Sequence, residues 1–171
     1  RTAADAVIAA NDLAEARFAV ALAAYNTGLA DMSTQTAAIR EVDRALLLKP
    51  GWERAAMLKA EILGKRSPAE AIDYLVAYLA AHPDSKAAGA SLAQLYVEQR
   101  RFAEARAIFE QFWAADKENR VYEFAIAELA FQMKDWTAAE KLFQDLVDSD
   151  YEDNGGVELR LAQVAEETGR Y

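Results

Sequence analysis

His82 is the single histidine of a chain that has no cysteine, and this pair of facts removes most of the side-chain chemistry open to it. One imidazole and no thiol cannot build a Ser-His-Asp or Cys-His relay, a multi-histidine metal site or a thiolate site without a second chain. His82 also precedes Pro83 where a helix should end, and an imidazole there meets the negative end of the helix dipole. Its expected role is therefore at a helix terminus. A second candidate is the stretch Asp148-Ser149-Asp150-Tyr151-Glu152-Asp153-Asn154-Gly155-Gly156, in which Asp150, Glu152 and Asn154 alternate ahead of Gly155 as calcium ligands would. The bidentate Glu that closes such a loop falls on Leu161, so a solvated acidic loop is expected in its place.

Gly155-Gly156 follows no strand and makes no phosphate loop. Arg100-Arg101 and Lys65-Arg66 are short basic pairs that read as solvated turn residues. Carboxylates abound, yet none sits in a motif that would drive two pKa values apart. No catalytic residue, metal ligand or cofactor site is expected, and the chain reads as a non-enzyme.

The elements that carry these residues are helices. Seven Gly and three Pro in 171 residues are too few for a turn-dense β protein, and Ala, Leu, Glu and Gln give high helix propensity almost throughout. Apolar residues make up 53% of the chain, enough for a substantial core. The formal charge of −9 disfavours a nucleic-acid backbone or an anionic membrane surface, both of which select clustered Lys and Arg. A neutral or basic protein partner fits better. No apolar run approaches the roughly 18 residues that span a bilayer, so no membrane insertion is expected, and the absence of a start methionine leaves open what precedes Arg1.

A constant stride organises the chain. Ala71, Ala105 and Ala139 are 34 apart, as are Leu75, Phe109 and Phe143, Ala93 and Ala127, and Phe102 and Trp136. Within one stride, Leu92, Ala93 and Tyr96 lie before a polar joint at Gln99-Arg100-Arg101, and Phe102, Ala105, Ile108, Phe109 and Phe112 follow it. Both halves have helical spacing. The unit is thus two antiparallel helices with a tight turn, and such pairs must stack on one another to bury their faces.

This pattern resembles the tetratricopeptide-repeat family, in bacterial-type form: a small residue in the first helix, an aromatic opening the second, a small residue three further on and an aromatic or Leu four beyond. The clearest copy spans 86–119, carrying Leu92, Ala93, Tyr96, Phe102, Ala105 and Phe109. The copy at 120–153 carries Ile126, Ala127, Phe131, Trp136, Ala139 and Phe143. A third, 53–85, is one residue short and has Pro68 in place of the aromatic opener, with Ser67 as N-cap.

Residues 1–50 read as a divergent first repeat, with Ala38, Val42 and Pro50, behind a leading helix over about 1–12; its joint, Asp31 to Thr36, is expected to be long and polar. Residues 154–171 read as the start of a truncated further repeat, with Leu161-Ala162 and a joint at Gly169-Arg170-Tyr171. The resemblance implies an all-α, right-handed superhelix of antiparallel helix pairs. Large residues at Tyr78, Phe112 and Leu146 depart from the small residue the family often has there.

In that family the first helices of successive units line a concave groove that takes a peptide or helix, and the resemblance implies a scaffold or adaptor function within a larger protein. Carried over by position, the groove residues are Arg54, Met57 and Glu61; Ala87, Ala90, Gln94, Val97 and Glu98; and Val121, Phe124, Glu128, Phe131 and Gln132. Members that grip a terminal carboxylate set Lys, Arg and Asn in these places; Glu61, Gln94 and Glu128 stand here, so that grip is not expected. The lining suits an apolar or basic segment. The alternative is a structural spacer or a segment that self-associates through its C-terminal end. The compartment stays open between bacterial cytoplasm and periplasm or cell envelope.

Overall fold

The computed structural model describes residues 3–28, 31–149, 151 and 154–170. Among them are nine helices and no strand: α1 (Ala3–Asn26), α2 (Met32–Leu48), α3 (Glu53–Arg66), α4 (Pro68–Ala81), α5 (Lys86–Glu98), α6 (Phe102–Ala115), α7 (Arg120–Gln132), α8 (Trp136–Asp148) and α9 (Asn154–Glu167). The chain divides into two compact units, Arg1–Ala88 and Gly89–Tyr171.

In the first unit α1 packs on α2, α2 on α3 and α3 on α4. Phe18 and Ala21 of α1, Ala38, Val42 and Ala45 of α2, and Ala55, Leu58 and Ile62 of α3 form its core. Two ion pairs tie the helices at the core edge, Arg17 to Glu41 at 2.9 Å and Lys59 to Asp43 at 2.6 Å. Burial, then the neighbouring Tyr78 and Asp43 charges, pushes the Tyr74 hydroxyl up to about 12. His82 is the C-cap of α4: its ring stacks on Tyr78 with centroids 4.3 Å apart, and Nδ1 lies 3.1 Å from the Tyr78 carbonyl oxygen.

Two expectations for this region are corrected. Residues 3–12 are not a separate leading helix; they run unbroken into the helix bearing Phe18, Leu22 and Tyr25, because neither Gly nor Pro interrupts the sequence between them. The long polar joint expected at 31–36 lies earlier in the chain, since α1 ends at Asn26 and α2 begins at Met32. Asp31 accepts a hydrogen bond from the Thr34 amide at 2.8 Å and caps a helix that begins at Met32, so Ser33, Thr34 and Thr36 belong to its first turns. That backbone bond holds the Asp31 carboxyl below its ordinary range.

The second unit shows why the stride is constant. After α5 the Arg101 amide bonds the Tyr96 carbonyl and the Arg100 amide bonds Val97; after α7 Asp135 bonds Ala130 and Lys134 bonds Phe131; after α9 Arg170 bonds Ala165 and Gly169 bonds Glu166. Each is the same two-bond closure of a helix end, and each needs one left-handed residue. Arg100 (φ 57°), Lys134 (φ 59°) and Gly169 (φ 68°) supply it. The first-unit hairpin that is one residue short does without this closure: Ser67 is extended, ending α3 and capping α4 at once through the Glu70 amide, with Pro68 at the first helical position.

Ala93, Ala105, Ala127 and Ala139 are all buried, and a methyl group at such a crossing lets two helix axes approach to the lower part of the 8–10 Å range. Gly89 extends this logic. A Cβ placed on it would lie 2.3 Å from the Phe112 ring, so the large Phe112 is accommodated by the absence of a side chain on the facing helix. The core of α7–α9 gathers Ala127, Ala130, Ala139, Phe143, Leu146, Val157 and Val164.

Candidate partner-binding cleft

The thirteen residues expected on a groove fall on first helices of the pairs, but the structure gives them different work. On α3, Arg54 is exposed with its guanidinium 5.0 Å from the centre of the Phe18 ring, Met57 is half-buried, and Glu61 accepts a hydrogen bond from the Tyr25 hydroxyl. Lys65 lies over the same Tyr25 ring at 4.2 Å, and its hydrogen bond with Tyr25 raises its pKa. Ala87 and Ala90 are exposed on α5. Gln94 donates to Glu98 at 3.0 Å.

On α7, Val121 is exposed, whereas both aromatic residues pack inward. Phe124 meets Phe143 edge-on at 6.3 Å and stacks on Tyr151 at 5.6 Å; Phe131 meets Trp136 at 5.3 Å. These rings hold the α7–α8 hairpin and its neighbour together. Glu128 is gripped by the Arg160 guanidinium of α9 through two bonds of 2.6 and 2.9 Å, and the same guanidinium lies 5.1 Å from the centre of the Phe131 ring. A bidentate pair of this kind balances the carboxylate charge within the molecule.

Four of the expected residues meet in one place. Val97 and Glu98 from the end of α5, and Glu128 and Gln132 from α7, line a cleft of about 690 Å³ together with Arg100, Phe102 and Lys134. Ala90, Gln94, Val121, Phe124 and Phe131 do not line it. Arg100 and Lys134 come from two of the three left-handed joint positions of this unit and are exposed; neither has a carboxylate partner among the described residues. Arg101, next in the chain, is held by Glu104 at 2.8 Å and lies over the Tyr96 ring. That bond raises the Arg101 pKa and lowers that of Glu104.

Sequence reasoning placed Arg100 among solvated turn residues and Phe102 among packing plugs, and it passed over Lys134 and Arg160. A signal for Arg100 and Lys134 was present: they are one stride apart, and Gly169 stands one residue beyond the next stride. The acidic stretch around 150–153 bears on none of this, since 150, 152 and 153 lie outside the described residues, as does Tyr171 of the last joint. Among the described residues no helix is long and apolar enough to cross a membrane.

The comparisons agree on the fold. No curated protein matches the chain in sequence. A tetratricopeptide repeat protein from Parabacteroides merdae superposes with a TM-score of 0.69 at 17% identity, over 92% of this chain and 62% of that one. This chain therefore spans less than two thirds of that relative. MamA residues 41 to the end, from Desulfovibrio magneticus, also gives 0.69, at 12% identity over 93% of this chain and 87% of that one. MamA AMB-1 gives 0.61 at 15% identity over 96% and 83%. The family model described as tetratricopeptide repeat matches residues 63–129 and 96–156. The fold is generally a non-catalytic scaffold for protein–protein interaction. With more than half of its length matched by that model, the chain belongs to the tetratricopeptide-repeat family.

Proposed function

We propose that this protein is a scaffold or adaptor that holds a peptide or helix of a partner protein against the first helices of its pairs, with 53–85, 86–119 and 120–153 as repeats. The observation that carries the reading is the cleft at the ends of α5 and α7, where Val97, Glu98, Glu128 and Gln132 converge with Arg100, Phe102 and Lys134. Its apolar floor and mixed rim suit a segment rather than a reactive small molecule. The expectation of a basic partner narrows. Glu128 is balanced by Arg160, Glu98 is paired among the described residues only with the neutral Gln94, and the cations Arg100 and Lys134 line the same cleft. A segment carrying both signs along an apolar stripe answers that rim best.

The test is a pair of charge changes at exposed wall positions, Glu98→Lys, which reverses a charge, with Gln132→Glu, which introduces one. The expected outcome is a thermal transition within a degree or two of the parent and loss of the protein captured from native extract by the parent chain. Capture equal to the parent would remove the cleft from the binding surface. Sedimentation over a range of concentrations checks the alternative of self-association through the C-terminal end, in which mass rises with concentration in the parent and in the cleft variant alike.

A further inference from the structure

The first unit has a cleft of its own, of about 440 Å³, bounded by α1, the loop after α2 and the first turn of α3. Its floor is aromatic: the Phe18 and Trp52 rings lie 4.8 Å apart, with Leu22 beside them. Trp52 occupies the N-cap of α3 and makes no side-chain cap bond, although Ser, Thr, Asp or Asn is strongly preferred at such a position. Helix capping does not account for a tryptophan there. Its ring packs against the core of the unit and, where it is left uncovered, completes the floor.

The rim is cationic. The Lys49 ammonium stands 4.6 Å from the Trp52 ring centre and the Arg54 guanidinium 5.0 Å from that of Phe18. Resting near a ring face holds each cation at the rim of the cleft. Glu15 reaches Lys49 only at 3.8 Å, too long for a charge-assisted hydrogen bond. Arg54 has no carboxylate partner among the described residues. In a chain whose formal charge is −9, a rim of two cations and one carboxylate over an aromatic floor is a local reversal of sign.

We infer that this cleft binds an acidic segment of a partner protein, one bulky apolar side chain seated on Trp52, Phe18 and Leu22 and a flanking carboxylate held by Arg54 and Lys49. Charge complementarity selects the occupant. A basic or neutral segment of the same apolar content gains the floor but not the rim. The inference rests on residues of the first unit alone and stands or falls separately from the α5–α7 cleft.

The experiment uses the full chain and three blocked peptides that differ only in charge: acetyl-Glu-Leu-Phe-Glu-amide and its Lys and Gln counterparts. Binding is read from the indole N–H resonance of Trp52, assigned with Trp52→Phe, at two salt concentrations. The acidic peptide is expected to shift that resonance and to bind roughly fivefold tighter than the Lys peptide, with the margin shrinking at higher salt. Arg54→Glu, a change at an exposed site, is expected to invert the order of the two charged peptides without moving the thermal transition. Equal or tighter binding of the Lys peptide, an order unchanged by Arg54→Glu, shifts confined to residues 89–170, or no shift with any peptide would each overturn the inference.

Discussion

The hairpins α5–α6 and α7–α8 share one stride and one joint closure, yet they fill one equivalent place in opposite ways. Gly89 and Glu123 are 34 residues apart and both buried. At the first, a missing side chain admits the ring of Phe112, which also contacts Tyr122 at 5.7 Å. At the second, a carboxylate is 2% exposed and bonded to Arg120 at 2.7 Å, and the residue one stride on from Phe112 is the smaller Leu146. What stays constant is what the backbone requires: small residues at the helix crossings and a left-handed residue at each joint. Side-chain volume is settled pair by pair, because close packing constrains the sum across an interface and not each member.

The largest effect that would sharpen this contrast lies one turn away. Phe143 is fully buried under α9, whereas Phe109, its counterpart one stride earlier, is half-buried and contacts Tyr122 at 6.5 Å. Phe143→Ala is expected to cost ~3–5 kcal/mol, and Phe109→Ala about half that, since less of its ring leaves water on folding. Urea denaturation of both variants measures the difference. Equal costs would mean that the two places are not packed as differently as the burial implies.

Next comes Gly89→Ala. On helix propensity alone it should stabilise by roughly 1 kcal/mol, but the new methyl meets the Phe112 ring at 2.3 Å. Overpacking of this kind costs ~1–3 kcal/mol, so a net loss is expected. Phe112→Leu, which imports the α7–α8 solution, should convert that loss into a gain. A double-mutant cycle reads the coupling; additive effects would break the claim that these two positions are solved together.

How much of this was legible in the sequence follows from the range over which each feature is decided. The stride, the joint at 99–101, the Ser67-Pro68 start and the burial of Ala93, Ala105, Ala127 and Ala139 depend on spacing within tens of residues, and periodicity carries them. The residues expected on a groove fall on α3, α5 and α7, the first helices of the pairs, for the same reason. Periodicity does not say which charge finds which partner across an interface. Glu128 reads as a free acid until Arg160, 32 residues on, is seen to hold it. Phe124 reads as a lining residue until Tyr151 stacks on it. The unbroken α1 was missed from the opposite cause: its Ala-rich sequence is helical on every face, so no period marks where one element passes into another.

The smallest expected effect is the most telling for function. Arg100 and Lys134 hold left-handed conformations that cost an L-residue with a Cβ roughly 1–2 kcal/mol, and Gly169 shows the unstrained solution at the equivalent joint. Arg100→Gly and Lys134→Gly return that strain, less the roughly 0.5–1 kcal/mol of added chain entropy in the unfolded state. Each variant should therefore be more stable by a few tenths of a kcal/mol to about 1 kcal/mol, measured as a rise in the urea midpoint at constant slope. If the two cations serve only as turn residues, stability rises and partner capture is unchanged. If they hold a partner at the rim of the α5–α7 cleft, the same pair of substitutions raises stability and weakens capture together, and that opposition separates a residue kept for binding from one kept for folding.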